Sequence, residues 1–373
     1  MIYLDHHAAT PLADGVKAAM AEALELGWAN PSSVHGPGRA ARRLLETARD
    51  RVAEAVGARP TEVVLTGGGT EAVNLAIEGL HPRRIITTEV EHPALAAAIV
   101  SLETRGVPVD RLPVPKGAPP NPAMLRRLLG PEAVLAVQWI NHETGTVFPI
   151  EKYAELVAET GARIMIDATQ ALGKQPVEVA RLGRCALALA SQKLGGPGGA
   201  GAVVLAEGLE LQAIHHGGEQ ERGRRPGTPD LAAAVGFGVA CTARNSRLAV
   251  REAIGAKRDA LEGVLLEEGG VRNAADGPRV ETVSSVAFQG MRSDALVAAL
   301  DIEGVAVSAG AACSSGLPGG SPVIEAMHRS EAWRATATLR VSLGPEVSTT
   351  DVEAASDIFR RVLSRFRGKE KLR

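Results

Sequence analysis

Lys193 is the residue whose chemistry is easiest to read from its surroundings. It stands in Ala190-Ser191-Gln192-Lys193-Leu194, and five of the eight residues over 194–201 are glycine. An apolar run over 185–190 leads in and a second over 202–205 leads out, so the lysine falls where a strand ends, beside backbone bare enough for a ligand to approach. A second feature is Gly67-Gly68-Gly69-Thr70-Glu71, set between a strand over 62–66 and a helix over 72–80. Backbone N–H groups in the first turn of a helix lack partners and the dipole favours negative charge, so a phosphate is the expected guest. His92, His142 and Asp167 each follow an apolar run, which puts an imidazole, a second imidazole and a carboxylate at strand ends as well. Cys313 lies among small residues, Ser308-Ala309-Gly310-Ala311-Ala312-Cys313-Ser314-Ser315-Gly316, where a thiol is accessible. Cys185 and Cys241 sit in apolar runs and read as inert core residues.

The elements that must position these groups follow from hydrophobic period. Helical patterns cover 14–26 and 39–56; after the strand over 62–66 come strands over 85–88, 133–140 and 163–166, with a helix over 150–160. Strands alternating with helices at this spacing predict an α/β fold, a mostly parallel sheet between helices, with ligands bound beyond the carboxyl ends of the strands. Thr70, His92, His142, Asp167 and Lys193 would then share one edge. A long helical stretch over 231–268, broken near Asn245-Ser246, closes at Gly269-Gly270. Strands over 280–288, 305–308 and 339–342 and helices over 293–300 and 350–366 make a smaller α+β part.

The totals agree with an enzyme acting on a small molecule. A chain of 373 residues exceeds the roughly 250 to 300 at which one core stops growing, which predicts two domains. A net charge of −2 without a basic run excludes nucleic acid and an anionic membrane surface as expected partners. Three scattered cysteines offer neither a disulfide framework nor a metal spacing. With no signal-like start and no apolar run near the ~18 residues of a membrane span, a cytoplasmic location is expected.

A phosphate cradle, an amine, a carboxylate and an imidazole on one edge are what pyridoxal 5′-phosphate needs. The amine condenses with its aldehyde, the carboxylate keeps its ring nitrogen protonated, and the imidazole covers a ring face. Gly67-x-Gly69-x-x-Ala72 followed by Glu89 imitates a dinucleotide fingerprint, but that reading leaves Lys193, Asp167 and Cys313 without work.

The motifs in order are Tyr3-Leu4-Asp5, Asn30-Pro31-Ser32-Ser33-Val34-His35, Gly69-Thr70-Glu71, Glu91-His92, Asp167-Ala168-Thr169-Gln170, Lys193 with Gly196-Pro197, Glu221-Arg222-Gly223-Arg224-Arg225-Pro226-Gly227-Thr228, Cys313, and Leu339-Arg340-Val341-Ser342-Leu343-Gly344. Carrying these nearly end to end, the sequence resembles the NifS-like cysteine desulfurases among the class V, fold type I pyridoxal phosphate enzymes. The resemblance implies that Gly69 and Thr70 bind phosphate, His92 stacks on the ring, Asp167 pairs with the pyridine nitrogen, Gln170 contacts the ring hydroxyl and Lys193 holds the cofactor. It implies a homodimer in which Thr228 reaches the neighbouring subunit's phosphate, and a substrate carboxylate held by Arg340 with Asn30. Cys313 would take the sulfur of L-cysteine as a persulfide, leaving L-alanine, and hand it to an acceptor protein for iron–sulfur clusters or thiolation. A large domain over 14–255 and a small one from 1–13 and 256–373, carrying the cysteine loop, are also implied.

Two places depart from that pattern. The family's Ser-x-His-Lys is Ala190-Ser191-Gln192-Lys193 here, losing a hydroxyl and an imidazole; Gln192 can still donate to the phosphate through its amide, and Ser191 is the other candidate, although its side chain should point differently along a strand. The family's Asn-Asn-Glu is Asn141-His142-Glu143, so a histidine meets the cofactor ring. Other class V activities (selenocysteine lyase, β-lyase, aminotransferase) and a diverged non-catalytic scaffold stand as alternatives.

Overall fold

The computed structural model describes residues 1–310 and 320–370, so Cys313 and most of its loop lie outside the described residues. Among the described residues the strands are β1 Ile2–Tyr3, β2 Val63–Thr66, β3 Arg84–Thr88, β4 Val109–Leu112, β5 Ala133–Gln138, β6 Arg163–Asp167, β7 Cys185–Ala190, β8 Gly201–Leu205, β9 Val271–Arg272, β10 Val283–Ala287, β11 Val305–Ala306 and β12 Thr338–Ser342. Seven of them form one sheet in the order β2-β8-β7-β6-β5-β3-β4. Only β8 runs against its neighbours, so the other six strands share one direction.

Both faces of this sheet are covered, which is why β5 to β7 read as unbroken apolar runs. Leu135, Val137, Ile164, Ile166, Leu187 and Leu189 face a core built with helices Gly36–Ala55, Ile150–Thr160 and Leu231–Thr242. Their alternates, Val134, Ala136, Met165, Ala186 and Ala188, face helices Gly69–Gly79 and Pro93–Thr104. Helix Leu231–Thr242 is apolar on nearly every side because helices enclose it; a Cβ on Gly238 would stand 2.8 Å from the Ala48 Cα, so only glycine allows this approach.

A further core forms on the antiparallel sheet β12-β10-β9 and the parallel pair β1-β11. Leu261, Leu265, Leu296, Leu300, Phe359 and Leu363, from helices Arg251–Glu267, Ser293–Ile302 and Thr349–Glu370, pack there with Leu4. Leu4 thereby fastens the start of the chain to its last third.

Elements differ from expectation where local signals compete. The long helix over 231–268 is three helices, Leu231–Thr242, Arg244–Ala249 and Arg251–Glu267. The strand over 280–288 shortens to β10, because the backbones of Val280 and Phe288 bond to Gly145 and Ala337 instead. Edge strand β4 escaped the pattern because only Leu112 of its four residues is buried. Helix Gly69–Gly79 begins three residues before the expected 72, its start disguised by glycine.

Candidate active site

The parallel strands β2, β3, β5, β6 and β7 end on one edge of the sheet and deliver Thr70, His92, His142, Asp167 and Lys193 to it. Lys193 closes a single 3₁₀ turn, Ser191–Lys193, at the end of β7. The N-terminal segment clasps that turn: Thr10 N donates to Gln192 O (3.0 Å), Ala13 N to Gly195 O (2.7 Å), and the Thr10 hydroxyl to Lys193 O (3.3 Å). Lys193 Nζ in turn donates to the carbonyls of His7 (2.9 Å) and Ala8 (2.7 Å). The same His7 carbonyl receives Gln170 Nε2 at 2.9 Å, while Lys174 Nζ donates to Gln170 Oε1 at 2.6 Å, fixing which way the amide faces. Lys174 is buried, with no carboxylate partner among the described residues; burial first, then the charge of Lys193, pulls its pKa well below the usual lysine value.

Asp167 is buried at the end of β6, one oxygen accepting from Thr169 N at 3.0 Å. Glu91 lies nearby, accepting from Gln138 N (2.8 Å) and the Thr88 hydroxyl. Burial raises its pKa to about 8, with Asp167 adding to the rise, so this carboxyl is protonated at neutral pH.

His92 caps helix Pro93–Thr104, its Nδ1 accepting from Ala94 N at 3.1 Å. His142 meets it edge to face, with ring centroids 4.8 Å apart and planes at 76°. Burial of the His92 ring, reinforced by His142, lowers its pKa to about 4. The loop carrying His142 is shaped by Asn141, whose Oδ1 accepts from Glu143 N (3.0 Å), Thr144 N (2.8 Å) and the Thr144 hydroxyl (3.0 Å). Arg340, 2% exposed, spans the two sheets' residues: Nη1 donates to the His142 carbonyl (3.0 Å) and Nη2 to Asp5 Oδ1 (2.7 Å).

At the opposite end of this row, Gly68 starts helix Gly69–Gly79 with φ +146° and no side-chain cap. A Cβ on Gly69 would lie 2.8 Å from the Ala190 Cβ, so the helix start presses against the end of β7. Thr70 is exposed in the first turn. Thr228 is exposed too, lining a hollow with Gly67, Gly199 and Arg225. Asn30 lies in a loop where its Oδ1 accepts from Ser32 N at 2.9 Å. Among the described residues neither Thr228 nor Asn30 hydrogen-bonds to His92, His142, Asp167 or Arg340.

This edge is suited to a polar guest. Among the described residues, both ring nitrogens of His142, Gln192 Oε1, Ser191 Oγ and Arg340 Nε are buried without a hydrogen-bond partner. Each such atom costs about 1–3 kcal/mol unless something satisfies it. An uncapped helix start suits a phosphate, a buried carboxylate suits a protonated ring nitrogen, and a lysine amine suits an aldehyde. The donor set thus fits pyridoxal 5′-phosphate. His7, Glu91, Lys174 and Glu143 join the site without having been singled out from sequence. Glu91 and Glu143 sit beside residues that were, but nothing local marks their burial.

The pattern for the aminotransferase class-V family matches residues 2–355. The chain belongs to that family. It is 39% identical to an IscS-like cysteine desulfurase of Mycobacterium tuberculosis, across 98% of this chain and 97% of that one. Among solved structures, a NifS-like protein superposes with a TM-score of 0.89 at 26% identity, covering 97% of this chain and 99% of that one. A structure described as SspA in complex with cysteine matches with a TM-score of 0.80 at 29% identity, covering 92% and 99%. The class V enzyme therefore sits among the NifS-like and IscS-like cysteine desulfurases, and its architecture is the expected fold type I, a mostly parallel sheet between helices with a smaller α+β part.

Proposed function

We propose that this class V enzyme is a pyridoxal 5′-phosphate-dependent cysteine desulfurase in which L-cysteine and the Cys313 thiol yield L-alanine and a Cys313 persulfide. The observation that carries the reading is the convergence of Lys193, Asp167 and His92 with an uncapped helix start on one sheet edge. Bound there, the cofactor supplies an aldehyde for an amine and a ring that accepts electrons from the substrate's Cα.

Each side chain then has a task. Gly69, Thr70 and Gln192 hold the phosphate, with Thr228 serving the neighbouring subunit of a homodimer. Asp167 keeps the ring nitrogen protonated, Gln170 donates to the ring hydroxyl, and His92 and His142 bound the ring. Lys193 Nζ holds the cofactor and moves the proton at Cα. Arg340, helped by Asn30, takes the substrate carboxylate; its guanidinium fork suits that pairing once Asp5 yields. Cys313 accepts the sulfur, and the methylene left behind gains a proton to become the methyl of alanine. An acceptor protein then removes the outer sulfur for cluster assembly or thiolation. A cytoplasmic setting accords with the unpaired thiols of Cys185 and Cys241, and among the described helices none is long and apolar enough to cross a membrane.

Incubation of the protein with the cofactor and L-cysteine should give alanine and, by mass spectrometry, one extra sulfur on Cys313. Cys313→Ala should stop alanine formation. Undiminished turnover by that variant would instead assign a lyase that does not use the thiol, and protein that stays colourless with the cofactor would assign a scaffold.

A further inference from the structure

The two adjoining imidazoles of the site, His92 and His142, are not equivalent. Pro93 offers no N–H, so the first amide to be capped at the helix start is that of Ala94, and it donates to His92 Nδ1 at 3.1 Å. An accepting Nδ1 must present a lone pair, which leaves the ring's single proton on Nε2. A second proton could enter only at Nδ1, where it would face the Ala94 N–H and break the cap. Burial acts in the same direction, lowering the His92 pKa to about 4.

His142 carries no such commitment. Among the described residues neither of its buried nitrogens has a hydrogen-bond partner, so either can gain or lose a proton without breaking a bond to those residues. Glu143 Oε1, also without a hydrogen bond, stands 3.6 Å from His142 Nε2. The other oxygen, Oε2, accepts from the Ser321 hydroxyl at 2.6 Å, which holds the carboxylate in place. His7 lies 3.4 Å from the His142 carbonyl and Arg340 donates to that carbonyl. At the adjoining His92 ring Lys193 opposes a cation, whereas Asp167 and Glu143 favour one. Burial holds His7 well below the usual imidazole range, so it stays neutral.

We propose that His142, rather than His92, is the imidazole that carries the proton in this site, taking it from the substrate thiol and returning it, with Glu143 as counter-charge and His92 a neutral ring. The step is a proton transfer alone: the S–H bond opens to a thiolate, the proton joins a His142 ring nitrogen, and an imidazolium–carboxylate pair forms with Glu143. It rests on the desulfurase reading and deepens it.

Two conservative variants and two readouts decide the matter. His142→Asn restores the residue usual in the resembling family, and His92→Asn keeps an oxygen able to cap the helix. Ring C–H resonances are followed against pH in the cofactor-free protein, each assigned by its loss in one variant. The resonance lost in His142→Asn should be the one that moves with pH, and that lost in His92→Asn should stay fixed from pH 8 to 5. In the loaded enzyme His142→Asn should keep the cofactor colour, lose on the order of a hundredfold in kcat/KM, and lose an ionisation from the pH profile. A moving His92 resonance, or an unchanged pH profile in His142→Asn, overturns the proposal. Wild-type protein that makes no alanine overturns the desulfurase reading and the substrate thiol with it, while the resonances still decide which ring carries the proton.

Discussion

Glu262 and His142 are both buried, yet among the described residues both oxygens of the carboxylate are hydrogen-bonded and neither nitrogen of the imidazole is. Glu262 Oε2 accepts from Arg279 Nη1 and the Ser284 hydroxyl, each at 2.6 Å; Oε1 accepts from Arg279 Nη2 at 3.1 Å and pairs with Arg272 at 2.5 Å. That knot ties helix Arg251–Glu267 to β9 and β10. Burial alone would raise the Glu262 pKa, but the bonds from Arg279 and Ser284 win and hold it at about 2. Around His142 the balance is reversed, with Glu143 Oε1, Gln192 Oε1 and Arg340 Nε also lacking partners. A satisfied network holds elements together, and an unsatisfied one marks where something else must bind.

The sharpest way to break this contrast is Lys193→Ala. Alanine production should fall by about a thousandfold or more, with the melting temperature close to wild type. Persistent turnover would mean that the unsatisfied edge is not the reacting one. Glu262→Gln should do the reverse. It leaves Arg279 and Arg272 facing a neutral amide, at a cost of about 3 kcal/mol, read as a melting temperature lower by several degrees with cofactor affinity unchanged. A variant that melts like wild type would show that the knot holds nothing.

A pH series sharpens the comparison without mutation. His6 and His92 titrate near 4 in the fold and His7 well below the usual imidazole range, each chiefly through burial, against about 6.5 in an unfolded chain. Between those values the unfolded chain binds more protons, so stability falls as pH falls, by at most about 1.4 kcal/mol per pH unit for each ring. Glu91 opposes them: with its pKa raised to about 8, it contributes stability below about 4.5 that shrinks as pH rises towards 8. Three imidazoles outweigh one carboxyl, so the melting temperature should climb between pH 5 and 6.5. Above 6.5 the imidazoles add nothing more and Glu91 bends the profile down towards pH 8, while Lys174, with its lowered pKa, acts in the opposite direction. The Glu262 knot should weaken only below about pH 4.5. A flat calorimetric profile from pH 5 to 6.5 would contradict the neutral, buried histidines. The smallest effect belongs to Gly69→Ala, whose Cβ meets Ala190 at 2.8 Å. Displacing the helix start should weaken cofactor binding about tenfold, by titration of the colour, with little change in melting.

Much of the site was legible because a buried strand announces itself and so does the polar residue that ends it. Asp167 and Lys193 follow unbroken apolar runs, and strands over 163–166 and 185–190 were placed to within a residue. Nothing local announced that residues 7 and 8 would lend carbonyls to Lys193, that Lys174 would lie buried against Gln170, or that Ser321 would brace Glu143 from 178 positions away. Such contacts join segments whose separation in sequence carries no period and no turn signal.

The sequence by itself determined which elements form and which edge they present, since strands buried on two faces need apolar residues at every position and polar groups can only gather where the strands stop. Tertiary structure alone decided which of those polar groups were satisfied. Asn141 and His142 are neighbours just past the same strand, but the fold brings the Val90 carbonyl to the Asn141 amide at 3.0 Å, and among the described residues brings no hydrogen-bond partner to the imidazole. A hydrogen bond depends on what is brought to within 3 Å in the fold, and residue type states only what a group can accept or give.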